Sequence, residues 1–238
     1  MILRVEELDA TERNLYLAPG EYIDSDHPEV VAYARSVVVH SASPQEKARA
    51  LFAAVRDDIR YQPYIDLRNP VNYRASGVLA AGQGFCIGKA ALFAAVCRVH
   101  DLPARIAFSD VANHLASEKL RQSMRTDLFY WHGYAEVNLG RHWRKASPTF
   151  NRSLCEKFGV AALEFDGYDD ALLHAFDATG RAFMSYMNSH GSFVDVPGKF
   201  LIGEMERRYP NLVRQFDASR DMEREVSGRR TCASPMGR

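Results

Sequence analysis

The sequence feature that most constrains this chain is the stretch Gly82-Gln83-Gly84-Phe85-Cys86, followed by a run from Ile87 to Val99 that only Lys89, Cys97 and Arg98 interrupt among apolar residues and glycine. A run of that length, apolar nearly all round and ended ahead of Pro103, predicts a helix buried in the middle of a fold. At about 1.5 Å per residue it spans roughly 20 Å, enough to cross a small domain. The glycine-rich turn places Cys86 at its first residue. There the unpaired N–H groups and the positive end of the helix dipole favour a thiolate, which makes Cys86 a candidate nucleophile. A small buried hydrophobe would fit the same position, so the assignment depends on what the rest of the chain offers.

Upstream, His27-Pro28-Glu29 opens an apolar-periodic run through Val30, Val31, Ala34, Val37 and Val38. Ser43-Pro44-Gln45-Glu46 combines a cap, a proline at the first helical position and an early acid, ahead of Ala48, Leu51, Phe52, Val55 and Ile59. Both segments are expected to be helices packed on the core. The loop from Tyr61 to Arg74, rich in tyrosine, proline and asparagine, leads into the cysteine turn and offers aromatics either for a groove or for covering a core edge.

Downstream, Pro103 to Phe108 reads as a strand and Ser109 to Thr126 as a polar connection with helical character. Trp131 to Leu139 alternates, with His132, Tyr134, Glu136 and Asn138 on one face and Gly133, Ala135, Val137 and Leu139 on the other. Gly140-Arg141 turns the chain into a returning strand from His142 to Ala146. With a two-residue loop, Leu139 pairs with His142 and His132 falls opposite Thr149, so Ser147, Thr149 and Asn151 share the His132 face. A bulge at Pro148 would change that register.

These segments together resemble the transglutaminase-like superfamily. Gly84-Phe85-Cys86 with Leu102-Pro103-Ala104-Arg105 is similar to its cysteine motif and following strand, and His132-Gly133-Tyr134-Ala135-Glu136-Val137 to its histidine strand. Trp143 to Thr149 is similar to its tryptophan-to-acid segment. The resemblance covers about residues 77–151 and extends more weakly over 44–64, where Val55 to Tyr61 looks like the preceding helix end. It implies an α+β, papain-like transglutaminase-core fold with the cysteine helix packed on an antiparallel sheet. Residues 1–218 are then expected to form one domain with its core at about 44–151.

The chemistry implied is cysteine-dependent hydrolysis or acyl transfer at an amide of a peptide or small molecule, through a thioester, with Cys86 as nucleophile and His132 as acid–base partner. Where the family carries aspartate this chain has Ser147. A hydroxyl can orient the imidazole but cannot stabilise its cation by charge. Asn151 is an alternative, as asparagine serves in papain-like enzymes, and Asp110 or Asp127 remain open. The backbone N–H of Cys86 is expected in the oxyanion hole, with Gln83 and His114 as further oxyanion or substrate candidates. The rival reading is a binding protein that keeps the fold with a degraded triad.

Composition narrows the alternatives. Thirty basic residues balance thirty acidic ones in 238, without a basic stripe, which speaks against a nucleic-acid or membrane-surface partner. No signal-peptide core or membrane-length apolar run is visible, so a cytoplasmic protein is expected. Cys86, Cys97, Cys155 and Cys232 form no C-x-x-C pair, and no H-E-x-x-H occurs, so neither a disulfide framework nor a zinc site is expected, and no cofactor. The acids of Asp166 to His174 read as a turn and helix cap and lack the spacing of a calcium loop. Arg181 to Pro197 suggests strands or a lid, Phe200 to Phe216 a helix interrupted at Pro210, and residues 219–238 a disordered tail exposing Cys232.

Overall fold

The first and third helices of this chain begin where side chains satisfy the first free N–H groups. A computed structural model describes residues 7–38, 42–113, 117–172 and 184–227. Helix α1 (Ala10–Leu17) opens on a reciprocal box between Asp9 and Glu12. Proline is at the first position of α2 (Pro28–Val37) and of α3 (Pro44–Asp58), and α3 adds a Ser43–Glu46 box. Each turns its apolar stripe inward: Val30 and Ala34 of α2, and Ala48, Leu51, Phe52 and Val55 of α3, are buried. Strand β1 (Arg60–Tyr61) follows, then a loop, a 3-10 turn (Pro70–Tyr73) and α4 (Ala75–Ala81). Gly82, at φ +60°, ends α4 in the left-handed region, so that β2 (Gln83–Gly84) can run parallel to β1.

Helix α5 (Cys86–Val99) starts one residue later, and every residue from Cys86 to Arg98 is buried. Helices α2, α3 and α4 pack against it on one side and the main sheet on the other. Gly88 lets the 3-10 turn approach, since a Cβ there would lie 2.5 Å from the Asn72 carbonyl oxygen. Its two buried cations clamp carbonyls that the folds of the chain leave free. Lys89 Nζ donates to the carbonyls of Arg56 and Ile59 at the end of α3, and burial lowers its pKa to about 7. Arg98 donates to the carbonyls of Ala18, Ala104 and Val194. Such charges are tolerated because their donors are used.

Strand β3 (Ala104–Asn113), α6 (Glu118–Met124), β4 (Leu128–Asn138) and β5 (Trp143–Ala146) come next. With β6 (Met184–Phe193) they make a four-stranded antiparallel sheet in the order β5-β4-β3-β6. The architecture is α+β, a buried cysteine helix against an antiparallel sheet, as the family resemblance implied. Ala104, Ile106 and Phe108 pair with Val137, Ala135 and Gly133, and this apolar face meets α5. Strand β3 is longer than its sequence suggests, because Val111 and Ala112 stay paired with Phe129 and Leu128, and helix is confined to α6. The hairpin register of the sequence reading is the one formed: Leu139 N–H donates to the His142 carbonyl, and Ala135 faces Ala146. The ladder then stops, as Ser147 N–H turns to the Ala171 carbonyl.

The last helices are α7 (Arg152–Phe158), α8 (Gly198–Arg208), α9 (Pro210–Arg214) and α10 (Met222–Ser227). Pro210 separates α8 from α9, where a helix interrupted at this residue is expected. Disorder from residue 219 onward is not what the fold contains. Met222 and Val226 are buried, Glu223 pairs with Lys157 at 2.6 Å, and Glu225 accepts from Tyr64 Oη at 2.7 Å. The charges that make this stretch look like a tail in sequence are satisfied across the fold. Residues 228–238, with Cys232, lie outside the described residues, as do His114 and His174. Among the described residues no helix is long and apolar enough to cross a membrane.

Candidate active site

Cys86 is the first residue of α5, after a Phe85 cap that supplies no side-chain hydrogen bond. The β1–β2 pair delivers the chain to this point, and β4 crosses the helix start. Gly133 is what allows the crossing: a Cβ on it would lie 2.9 Å from Ile87 Cα. The contact is productive, because it brings the Gly133 N–H to the Cys86 thiol, where it and the N–H groups at the helix start favour the thiolate. The helix start was expected to lower this thiol's pKa. Burial outweighs the three donors and pushes it up to about 11.

His132, one residue before Gly133, is 3 % exposed, and its Nε2 is buried without a hydrogen-bond partner. Burial lowers its pKa to about 4. Cys86 and His132 line the same small apolar pocket, with walls from Tyr61, Phe85, Trp131 and Tyr209. Both shifts have one cause, the low polarity of this pocket, which favours a neutral thiol beside a neutral imidazole. Moving the proton from sulfur to ring would create an ion pair whose thiolate already has backbone donors. Cys155 is also pushed up to about 11 by burial, so pKa does not single out Cys86; the pocket and the histidine do.

The remaining sequence candidates are placed as follows. Ser147 is buried, and its hydroxyl is bonded to Thr149 Oγ1 at 3.0 Å. Asn151 Oδ1 accepts from the Tyr61 N–H at 2.9 Å, and its Nδ2 donates to Ser153 Oγ and Glu223 Oε1. None of these bonds reaches the His132 ring. Gln83 Oε1 accepts from Arg60 at 3.0 Å on the other side of β2. Asp127 is exposed. Asp110 comes nearest to the histidine strand, its Oδ1 accepting from the Trp131 N–H at 3.1 Å and bonded to His190 Nε2 at 2.7 Å.

Sequence reasoning missed that cluster. Trp131 is at φ +58°, where β3 and β4 slip register between Ser109 and Val111. Its indole stacks on His190 at 3.8 Å and donates to Glu204 at 3.1 Å. A bulge brings Asp110 across to hold this backbone just before His132. No local pattern announces a bulge between two hydrophobic strands, and His190 is 80 residues away from Asp110 in the chain.

The model of the transglutaminase-like superfamily matches residues 31–148. This segment is a transglutaminase-like core. It runs from α2 to the end of the hairpin and includes Cys86, His132 and Ser147, while Asn151 lies beyond it. The pocket over the core is completed by Met205 of α8, Leu212 of α9 and Tyr209 between them, all outside the matched segment. Among solved structures, the chain is similar to a "Putative Cysteine Protease from Cytophaga hutchinsonii", with 20% identity and a TM-score of 0.46. The likeness covers 80% of this chain and 57% of that one, so the chain spans little more than half the length of that protein. No curated protein matches. Among the described residues, no group of three or more histidine, cysteine, aspartate or glutamate side chains is placed to hold a metal ion.

Proposed function

We propose that this protein is a cysteine-dependent hydrolase or acyl transferase acting on an amide of a peptide or small molecule, with Cys86 as nucleophile and His132 as acid and base. The observation that carries the reading is the shared pocket: a thiol at a helix start, seated under a strand N–H, with a partnerless imidazole nitrogen in the same apolar cavity. The Cys86 proton passes to His132, and the thiolate attacks the carbonyl carbon. His132 returns the proton to the leaving nitrogen as the C–N bond breaks, which leaves a thioester. Water or an amine then attacks, giving its proton to His132, and the thiol is regenerated. The N–H groups at the start of α5 are the donors available to the oxyanion. An apolar pocket raises the cost of the first proton transfer and strengthens every interaction that follows it.

A non-catalytic binding role is the second reading, and one observation favours it. The Ser147 hydroxyl is committed to Thr149, and among the described residues no carboxylate is hydrogen-bonded to the His132 ring. The two readings part on the rate of Cys86 alkylation against pH, followed by peptide mapping. A working dyad gives alkylation at a fixed pH that falls at least tenfold in His132→Ala, and turnover of a peptide amide library that Cys86→Ala abolishes. Alkylation indifferent to His132, with no turnover of the library, would favour the binding role.

A further inference from the structure

Four guanidinium groups meet along one open groove beside the site. Arg125 caps the C-terminus of α6, Arg207 and Arg208 end α8, and Arg214 ends α9. The groove shares Met124 and Tyr130 with the Cys86 pocket, so the two lie side by side. No acidic side chain lines it. Glu204 holds Arg207 at 2.7 Å and lies 3.6 Å from Arg208 Nε, which balances one charge. Arg208 stacks over the Tyr130 ring at 4.2 Å, and its Nε is buried without a hydrogen-bond partner. Arg125 and Arg214 are exposed and have no acidic partner among the described residues.

A cation in the last turn of a helix complements the carbonyl end of the dipole, which accounts for each arginine singly. It does not account for the convergence of three helix ends on one groove, in a chain whose thirty basic and thirty acidic residues cancel. Guanidinium forks match carboxylates in pairs, and a one-signed cleft concentrates anions. We propose that this groove selects an acidic peptide segment, placing aspartate or glutamate side chains next to the amide that enters the Cys86 pocket. The selection of a substrate rests on the thiol reading above; the binding of the acidic segment does not. A peptide is favoured over a polynucleotide because the basic groove adjoins a narrow apolar pocket, in a chain with no net charge.

Two measurements on the full chain separate these claims. The first compares the rates at which chloroacetyl-Glu-Glu-Ala-amide and chloroacetyl-Gln-Gln-Ala-amide modify Cys86, read by intact mass and peptide mapping at low and high salt. The acidic probe is expected to react roughly tenfold faster at low salt, with the ratio collapsing at 1 M NaCl and falling toward one in Arg125→Gln/Arg214→Gln. Equal rates for the two probes overturn the inference and leave Cys86 as the nucleophile. The second measures fluorescence polarisation of a fluorescein-labelled hexaglutamate peptide with Cys86→Ala, against the hexaglutamine peptide and a single-stranded oligonucleotide. Preferential binding of hexaglutamate that the double arginine variant loses supports the groove, even where neither probe labels Cys86 and the thiol reading falls. Absence of that preference, or tighter binding of the oligonucleotide, overturns it.

Discussion

The backbone of Gly133 lies against the start of the cysteine helix, where its N–H favours the thiolate of Cys86, so the strand that carries His132 is seated directly on that helix. Only glycine permits the approach, since a Cβ would come 2.9 Å from Ile87 Cα. The two motifs, far apart in sequence, are therefore joined by backbone rather than by their reactive side chains alone.

Gly133→Ala is expected to destabilise the fold by about 1–3 kcal/mol, because neither backbone can yield without unseating β4. Losing one donor to the thiolate should also slow Cys86 alkylation about tenfold at fixed pH. Urea unfolding and alkylation kinetics on the same preparation read both effects. Wild-type values in both would mean that the strand does not rest on the helix.

His132 is a group whose folded pKa is depressed, from 6.5 to about 4, by burial. Its neutral form stabilises the fold fully above pH 6.5, and that contribution is lost as pH falls toward 4, since only the unfolded chain takes up the proton in that window. The expected loss between pH 7 and pH 5 is about 2 kcal/mol. His132→Leu should remove this acid sensitivity and, by deleting a buried nitrogen with no partner, be at least as stable as wild type at pH 7. Equal pH slopes for variant and wild type in denaturant titrations would refute the burial of a neutral ring.

Ser147→Ala is expected to cost about 1 kcal/mol, the usual value of one buried hydrogen bond, here the one to Thr149. It should leave the alkylation profile of Cys86 unchanged, because the hydroxyl is engaged away from the ring. Ser147→Asp places a carboxylate where the hydroxyl meets Thr149 and should likewise leave the histidine pKa and the alkylation rate between pH 5 and 7 unchanged. NMR titration of the imidazole together with alkylation rates decides the matter; a slower Ser147→Ala would restore Ser147 to the role of orienting residue.

A chain ending at Ala218 should be less stable by several kcal/mol. It loses burial of Met222 and Val226, about 1.5–3 kcal/mol each. It also leaves Asn151, Lys157 and Tyr64 without the carboxylates of Glu223 and Glu225. Thermal unfolding of the two chains measures this, and identical melting would show that α10 is an ornament of the surface.

Much of the fold is legible in local pattern. The caps at Ser43 and Pro44, the apolar run of α5, and the alternation from Trp131 to Leu139 each follow from nearest-neighbour chemistry, and the Gly140-Arg141 turn sets the hairpin register. The segment after Ser219 misleads because its charges are paired with partners 66 to 161 residues distant, such as Lys157 with Glu223 and Arg60 with Asp221. Charge reads as disorder in one dimension and as an ion pair in three.

For the site, sequence by itself determined the identities and the spacing: a thiol at a helix start, a histidine on an alternating strand, a serine where related proteins carry an acid. Tertiary structure decided their states. Burial, which belongs to the whole packing and to no single residue, set the Cys86 thiol near 11 and the His132 ring near 4 against the local pull of the helix start. Long-range contacts decided which hydrogen bonds each candidate makes, committing Ser147 to Thr149, Asn151 to Tyr61 and Asp110 to Trp131 and His190. They also gathered four arginines from three helix ends into one groove, since helix order in the chain carries no record of which ends will meet.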